Sequence, residues 1–187
     1  MARAKTPQAK LATTVGMAHY TYLDQPDTEG QYADGKFKIT VSFAADDPFV
    51  AKLEEQIAKL AAEHWGDAIP RKANMLLKDD QDTPNEAFAG RVFFRAKSAK
   101  QPPMVDAKNA PIPSNVKIFS GDLVRVGITL AVYDGAQKGV TAYLDAVKLI
   151  EKRGSTGGST NAASLFGEDE GYEAPAGGFD GDEDADF

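Results

Sequence analysis

Cysteine is absent from this 187-residue chain. Disulfides and thiolate metal sites are therefore excluded, and a reducing, cytoplasmic setting is expected. No apolar run approaches the ~18 residues of a membrane-spanning helix, so no membrane partner is expected. The start, "MARAKTPQAK", carries charge but no apolar stretch, and no secretory signal is expected. Histidine is scarce too, with only His19 and His64. A nucleophile–histidine pair has few candidates, so neither enzymatic activity nor a cofactor is expected. Asp79, Asp80 and Asp82 cluster in "KDDQD", but no phosphate-cradling glycine loop accompanies them. They are expected to be loop carboxylates rather than Mg²⁺ ligands, and no metal site is expected.

Lys and Arg are missing from one region only. From Gly167 to Phe187 there are nine carboxylates and no base. The net charge of −7 therefore hides a division. Residues 1–166 hold 19 acids against 21 bases. A polyanion responds to the local field, so the acidic average does not exclude one. Seven of the bases lie between Arg91 and Ala131, against only Asp106 and Asp122.

Residues 1–12 have the composition of a disordered basic arm. "TTVGMAHYTYLDQP" is strand-prone and is expected to stop at Pro26. "KFKITVSF" alternates, with Phe37, Ile39, Val41 and Phe43 on one face and Lys36, Lys38, Thr40 and Ser42 on the other. The period then changes. Asp47 can cap a helix, Pro48 suits its first position, and Phe49, Leu53, Ile57, Leu60 and His64 make one stripe. One helix is predicted over about 47–65, with His64 and Trp65 packing at its end. "AGRVFFRAKS" and "DLVRVGITLAVYD" are strands. "GAQKG" is a hairpin turn, and it favours a strand for "VTAYLDAVKLIEK". The proline-rich stretch between the first two carries a short strand at most. Three regions result: an arm over 1–12, a folded domain over 13–153, and a disordered acidic tail over 154–187. The fold class is mainly β. Five longer strands with one interposed α-helix suit a small closed barrel of the OB-fold type, with a two-layer α+β sandwich as the rival.

"RVFFRAK" indicates where a ligand could lie. Val92, Phe94 and Ala96 point to the core. Arg91, Phe93, Arg95 and Lys97 point the other way. Cations meet phosphates, and a ring between them offers a base something to stack on. That combination suits single-stranded nucleic acid. A solvated strand face with Phe93 tucked under a loop would fit the same pattern. Lys36, Lys38, Arg125, Tyr133, Tyr20 and Tyr22 lie off the core faces of neighbouring strands and could extend the surface.

"FAGRVFFRAKSAKQPPMVDAKNAPIP" and "IFSGDLVRVGITLAVYDGAQKGVTAYLDAVKLIE" carry a resemblance. An aromatic and basic strand, the proline-flanked "MVD", "SGDLVRV" and "KGVTAYL" together resemble a family of bacteriophage proteins. That family, long described as a domain of unknown function, is assigned as phage single-stranded DNA-binding proteins with an OB-fold. The resemblance covers roughly residues 35–152. It implies a non-enzymatic single-stranded DNA-binding protein of phage replication or recombination, working in the cytoplasm of an infected bacterial host. Duplex DNA and a second copy of the chain are further partners it allows. Two other readings stay open: an annealing or duplex-binding accessory protein, and a structural or interaction protein that binds no DNA.

The tail ends in "GFDGDEDADF", and it is similar to the tails of phage and bacterial single-stranded DNA-binding proteins. Residues 154–187 reach about 30 Å as a flexible chain. They are expected to compete with DNA for the basic groove. Asp182, Glu183, Asp184, Asp186 and Phe187 are then expected to bind replication or recombination proteins once DNA displaces them, the ring entering an apolar pocket.

Overall fold

A computed structural model describes residues 6–31, 33–82 and 85–153. Within them lie seven strands in one sheet: β1 (Gln8–Ala12), β2 (Gly16–Asp27), β3 (Lys36–Ala44), β4 (Arg91–Ser98), β5 (Met104–Val105), β6 (Leu123–Asp134) and β7 (Lys138–Glu151). Five of them close into a ring. β2 pairs with β3, β3 with β4, β4 with β7, β7 with β6, and β6 with β2. All these pairings are antiparallel except β4 with β7. The mainly β fold, its five-strand closure and the single long helix among the described residues agree with the sequence.

Alternation explains the interior. Ile39, Val41 and Phe43 of β3, Phe94 and Ala96 of β4, and Val124, Val126, Ile128, Leu130 and Val132 of β6 are all buried. Helix α1 (Pro48–Trp65) packs against β6, β7 and β1, burying Phe49, Leu53, Ile57 and Leu60. The Asp47 carboxylate accepts from Phe49 N at 2.8 Å, and Pro48 stands in the first turn. At the other end Gly66 donates to Ala62 O with φ 58°, a left-handed conformation that glycine adopts without a Cβ clash. His64 and Trp65 do more than pack. Both bond to Asp134 in the β6–β7 turn region, at 2.5 Å and 3.0 Å, which ties the helix end to the hairpin.

Two boundaries differ from expectation. Residues 8–12 are strand β1 rather than part of a disordered arm. β2 covers only Leu123 and Val124 of the long strand β6, which leaves an edge open. β1 fills it, pairing Gln8–Ala12 with Ala131–Gly127 and turning Ala9 and Leu11 toward the core. β2 also runs through Pro26 to Asp27. Its pairing with β3 slips between Tyr22 and Asp27, so Pro26 sits at an irregularity, where its missing N–H costs no ladder bond.

The "KDDQD" carboxylates shape their own loop. Asp79 accepts from the Gln81 and Asp82 amides, and Asp80 accepts from Gly90 N.

Candidate nucleic-acid interface

Register brings the outward side chains of four strands into rows. Tyr22 of β2 pairs with Lys38 of β3, Lys38 with Lys97 of β4, and Lys97 with Tyr143 of β7. In the next row His19 pairs with Thr40, and Thr40 with Arg95. A groove of about 770 Å³ lies over this face. Lys36, Lys78, Arg95, Lys97, Tyr20, Tyr133, Tyr143 and Asp145 contribute to its lining. Tyr20 is 48% exposed and Tyr143 50%. Lys36 and Arg95 are also exposed. The groove therefore offers four cations and three phenol rings against Asp145.

One wall is the segment 74–78. Asn74 bonds to Lys138 O and Val140 N at the start of β7. Lys78 exchanges two backbone hydrogen bonds with Phe93 of β4, at 2.8 and 2.9 Å. The crossing is tight at Gly139, where a Cβ would come within 2.4 Å of the Asn74 carbonyl. Only glycine admits that approach.

A bulge sets the aim of Tyr20. The three-residue step of β2 from His19 to Tyr22 opposes the two-residue step from Thr40 to Lys38. His19 and Tyr22 therefore share the outer face. Tyr20 takes φ 48°, unusual for a bulky residue. Its amide donates to Ser120 Oγ at 3.0 Å, and its hydroxyl accepts from Asn85 Nδ2 at 3.0 Å.

Several predicted site residues have other occupations. Lys38 is buried, not solvated: it is ion-paired with buried Asp27, lies 3.4 Å from Asp34, and sits 5.4 Å from the Tyr22 ring centroid. Phe93 is on the outer face, as its strand position requires, yet it is 7% exposed. Phe88, in a short 3₁₀ turn at Glu86–Phe88, stacks on it with centroids 4.0 Å apart. That ring is covered by a loop and does not offer a free stacking face. Arg91 donates Nε to Ser42 Oγ at 2.8 Å and Nη2 to Ser42 O at 3.0 Å, so it clamps β3. Arg125 is exposed, but outside the groove lining, with Nε on Thr13 O at 2.7 Å. Tyr22 is 39% exposed beside the groove. Lys36, Phe93, Arg95, Lys97, Tyr20 and Tyr133 are the predicted residues that the groove gathers, Phe93 with one face under Phe88. Asp182, Glu183, Asp184, Asp186 and Phe187 lie outside the described residues.

Three residues of this face escape the sequence reading. Tyr143 follows from the alternation of "VTAYLDAV", with Val140, Ala142 and Leu144 inward. Lys78 has no strand pattern to betray it. Asp34 lies in the turn-like "YADG", and its carboxylate accepts from Lys97 at 2.5 Å. The Lys97 hydrogen bond, with Lys38 adding to it, holds the Asp34 carboxyl down at about 2.

Beneath the groove, His19 Nε2 lies 2.8 Å from Ser42 Oγ and its ring 4.8 Å from that of Phe88. Burial, helped by the Arg91 charge, lowers the His19 pKa from 6.5 to about 4. The folded state thus disfavours a proton that the unfolded chain takes up below pH 6.5. Stability should fall as pH drops from about 6.5 to about 4, by on the order of 1–3 kcal/mol, and this limb should flatten below. Melting temperatures of the native chain and of His19→Asn across that range would check it. The variant should lose the limb.

No curated protein matches the chain in sequence. Among solved structures, the fold is similar to that of the single-stranded DNA-binding protein from bacteriophage Enc34 in complex with ssDNA. The TM-score is 0.66 at 20% identity, over 77% of this chain and 87% of that one. It is also similar to gp2.5, a single-stranded DNA-binding protein encoded by bacteriophage T7. There the TM-score is 0.64 at 21% identity, over 90% of this chain and 100% of that one. A family model described as the ssDNA-binding protein of Enterobacter phage Enc34 matches residues 10–175. With most of its length inside that match, the chain belongs to the family of the Enc34 phage single-stranded DNA-binding protein.

Proposed function

We propose that this protein binds single-stranded DNA without sequence preference, along the groove over β3, β4 and β7, in phage replication or recombination. The observation that carries this reading is the groove's make-up in a chain of this family. Exposed Tyr20 and Tyr143 stand among Lys36, Lys78, Arg95 and Lys97. Phenol rings stack any base, and the cations follow the backbone. No step in this needs a catalyst.

The test is a titration of fluorescent oligo-dT at two salt concentrations, with a duplex of equal length beside it. Affinity should fall steeply with salt, and the single strand should bind more tightly. Tyr143→Ala should weaken binding by about 1–3 kcal/mol while the melting temperature holds. Equal affinity for the duplex would favour an accessory duplex-binding role. No binding at low salt would leave an interaction protein.

The tail enters this proposal as a tethered polyanion that competes with DNA and recruits partner proteins. Deleting residues 167–187 should raise affinity for oligo-dT, and the gain should shrink as salt rises. Phe187→Ala should leave DNA binding unchanged and weaken capture of a replication or recombination partner. A fall in affinity on truncation at low salt would rule out the competition.

A further inference from the structure

Phe119 is 45% exposed, on a loop that is firmly held. Its amide donates to Asp122 Oδ2 at 2.9 Å, and its carbonyl accepts from Asp122 N at 3.2 Å. Asp122 is fully buried, and its other oxygen accepts from Arg153 N at 2.7 Å. Gly121 N and Asp122 O bond to Ala18 on β2, and Ser120 Oγ accepts from Tyr20 N. The loop is therefore tied to β2 and to the residues just after β7. One lysine reaches over the ring, and a second lies two residues before it in the chain. Lys152 Nζ lies 5.0 Å from its centroid and donates to the Lys117 carbonyl at 2.5 Å. Both lysine side chains remain more than a third exposed, Lys152 lying 3.8 Å from Asp122 and Lys117 3.6 Å from Asp24. Arg153 stands alongside, engaged by Glu151.

A ring held out by a rigid loop beside an ammonium group costs little to order on binding. It pairs a stacking face with charge for phosphate, as the groove does. It is also continuous with the groove, since Tyr20 lines the groove and Ser120, next to Phe119, holds the Tyr20 amide. We infer that Phe119, with Lys117 and Lys152, is a second stacking platform, taking a base and its phosphate from the same single strand where that strand leaves the groove past Tyr20. The inference rests on the single-stranded DNA reading and lengthens its track.

Affinity is measured for oligo-dT of graded length, from about 4 to about 16 nucleotides, the range of one OB-type site. The proteins are the native chain, Phe119→Ala, Phe119→Trp and the double variant Lys117→Ala/Lys152→Ala. Short oligonucleotides should bind all of them alike. On long ones Phe119→Ala should bind about five-fold or more weaker than the native chain. Phe119→Trp should restore the affinity, and its added fluorescence should be quenched by long oligonucleotides only. The lysine pair should lose part of the salt dependence seen with long strands. Identical length profiles for the native chain and Phe119→Ala overturn the platform while leaving the groove intact. A loss already present with the shortest strands overturns it too, because the ring would then belong to the groove itself. If the native chain binds no oligo-dT, the DNA reading fails and the platform falls with it.

Discussion

Replacing Lys36, Arg95 and Lys97 together by alanine is expected to cost about a hundred-fold or more in affinity for single-stranded DNA. A charged hydrogen bond contributes about 1.5–3 kcal/mol, and three are removed. Lys97 should supply the least of the three, because it must first exchange Asp34, 2.5 Å away, for a phosphate. The log–log salt slope should flatten by about 0.7 for each phosphate of a single strand that is no longer neutralised, or roughly 2 for the set. The loss should be the same for every DNA sequence. Folding should survive, since none of the three side chains is buried. Asp34→Ala should act in the opposite sense. It frees the Lys97 ammonium, so affinity should rise, most at low salt. An unchanged slope in the triple variant would mean that phosphates lie elsewhere on the protein.

The largest effect on stability is expected from Asp27→Ala. Asp27 and Lys38 are 6% and 4% exposed, and they are paired with each other. Removing one member of a buried ion pair costs about 3–5 kcal/mol, because the charge left behind loses the partner that offset its desolvation. Lys38 keeps Asp34 at 3.4 Å and the Tyr22 ring, which should hold the loss toward the lower end. Exchanging both members for apolar residues of similar volume, as in Asp27→Leu with Lys38→Met, should recover most of it. Among the described residues one oxygen of Asp27 has no hydrogen-bond partner, so an apolar group there leaves little unmet. Urea unfolding distinguishes the cases. A single variant within about 1 kcal/mol of the native chain would show that the pair is not what holds β2 against β3.

Period-two patterns made most of the ring legible. The inward residues of β3, β4 and β6 follow directly from alternation, and the caps of α1 follow from Asp47, Pro48 and Gly66. The outer face was harder to read. Alternation tells which way a side chain leaves the strand and nothing about what lies above it. Phe93 and Lys38 do point outward, as predicted. Phe88, from a turn with no strand pattern, covers the first, and Asp27 and Asp34 enclose the second. Both enclosures join residues that spacing along the chain does not bring together. The bulge at Tyr20 likewise depends on its partner strand. Tyr143 is different, because the same rule that placed Leu144 inward places Tyr143 outward.

The way β6 and β7 share out their edges bears on crowding. Where copies of a protein lie side by side, an unpaired strand edge invites intermolecular pairing. β1 and β2 take successive stretches of one side of β6, while β4 and β5 do the same along β7. Among the described residues the sheet order ends in strands of only five and two residues. At those two ends a neighbouring copy would find little backbone ladder to extend. On the proposed function, contacts between copies on one DNA strand would fall to side chains, which salt and single substitutions tune, and copies could part without unzipping a sheet.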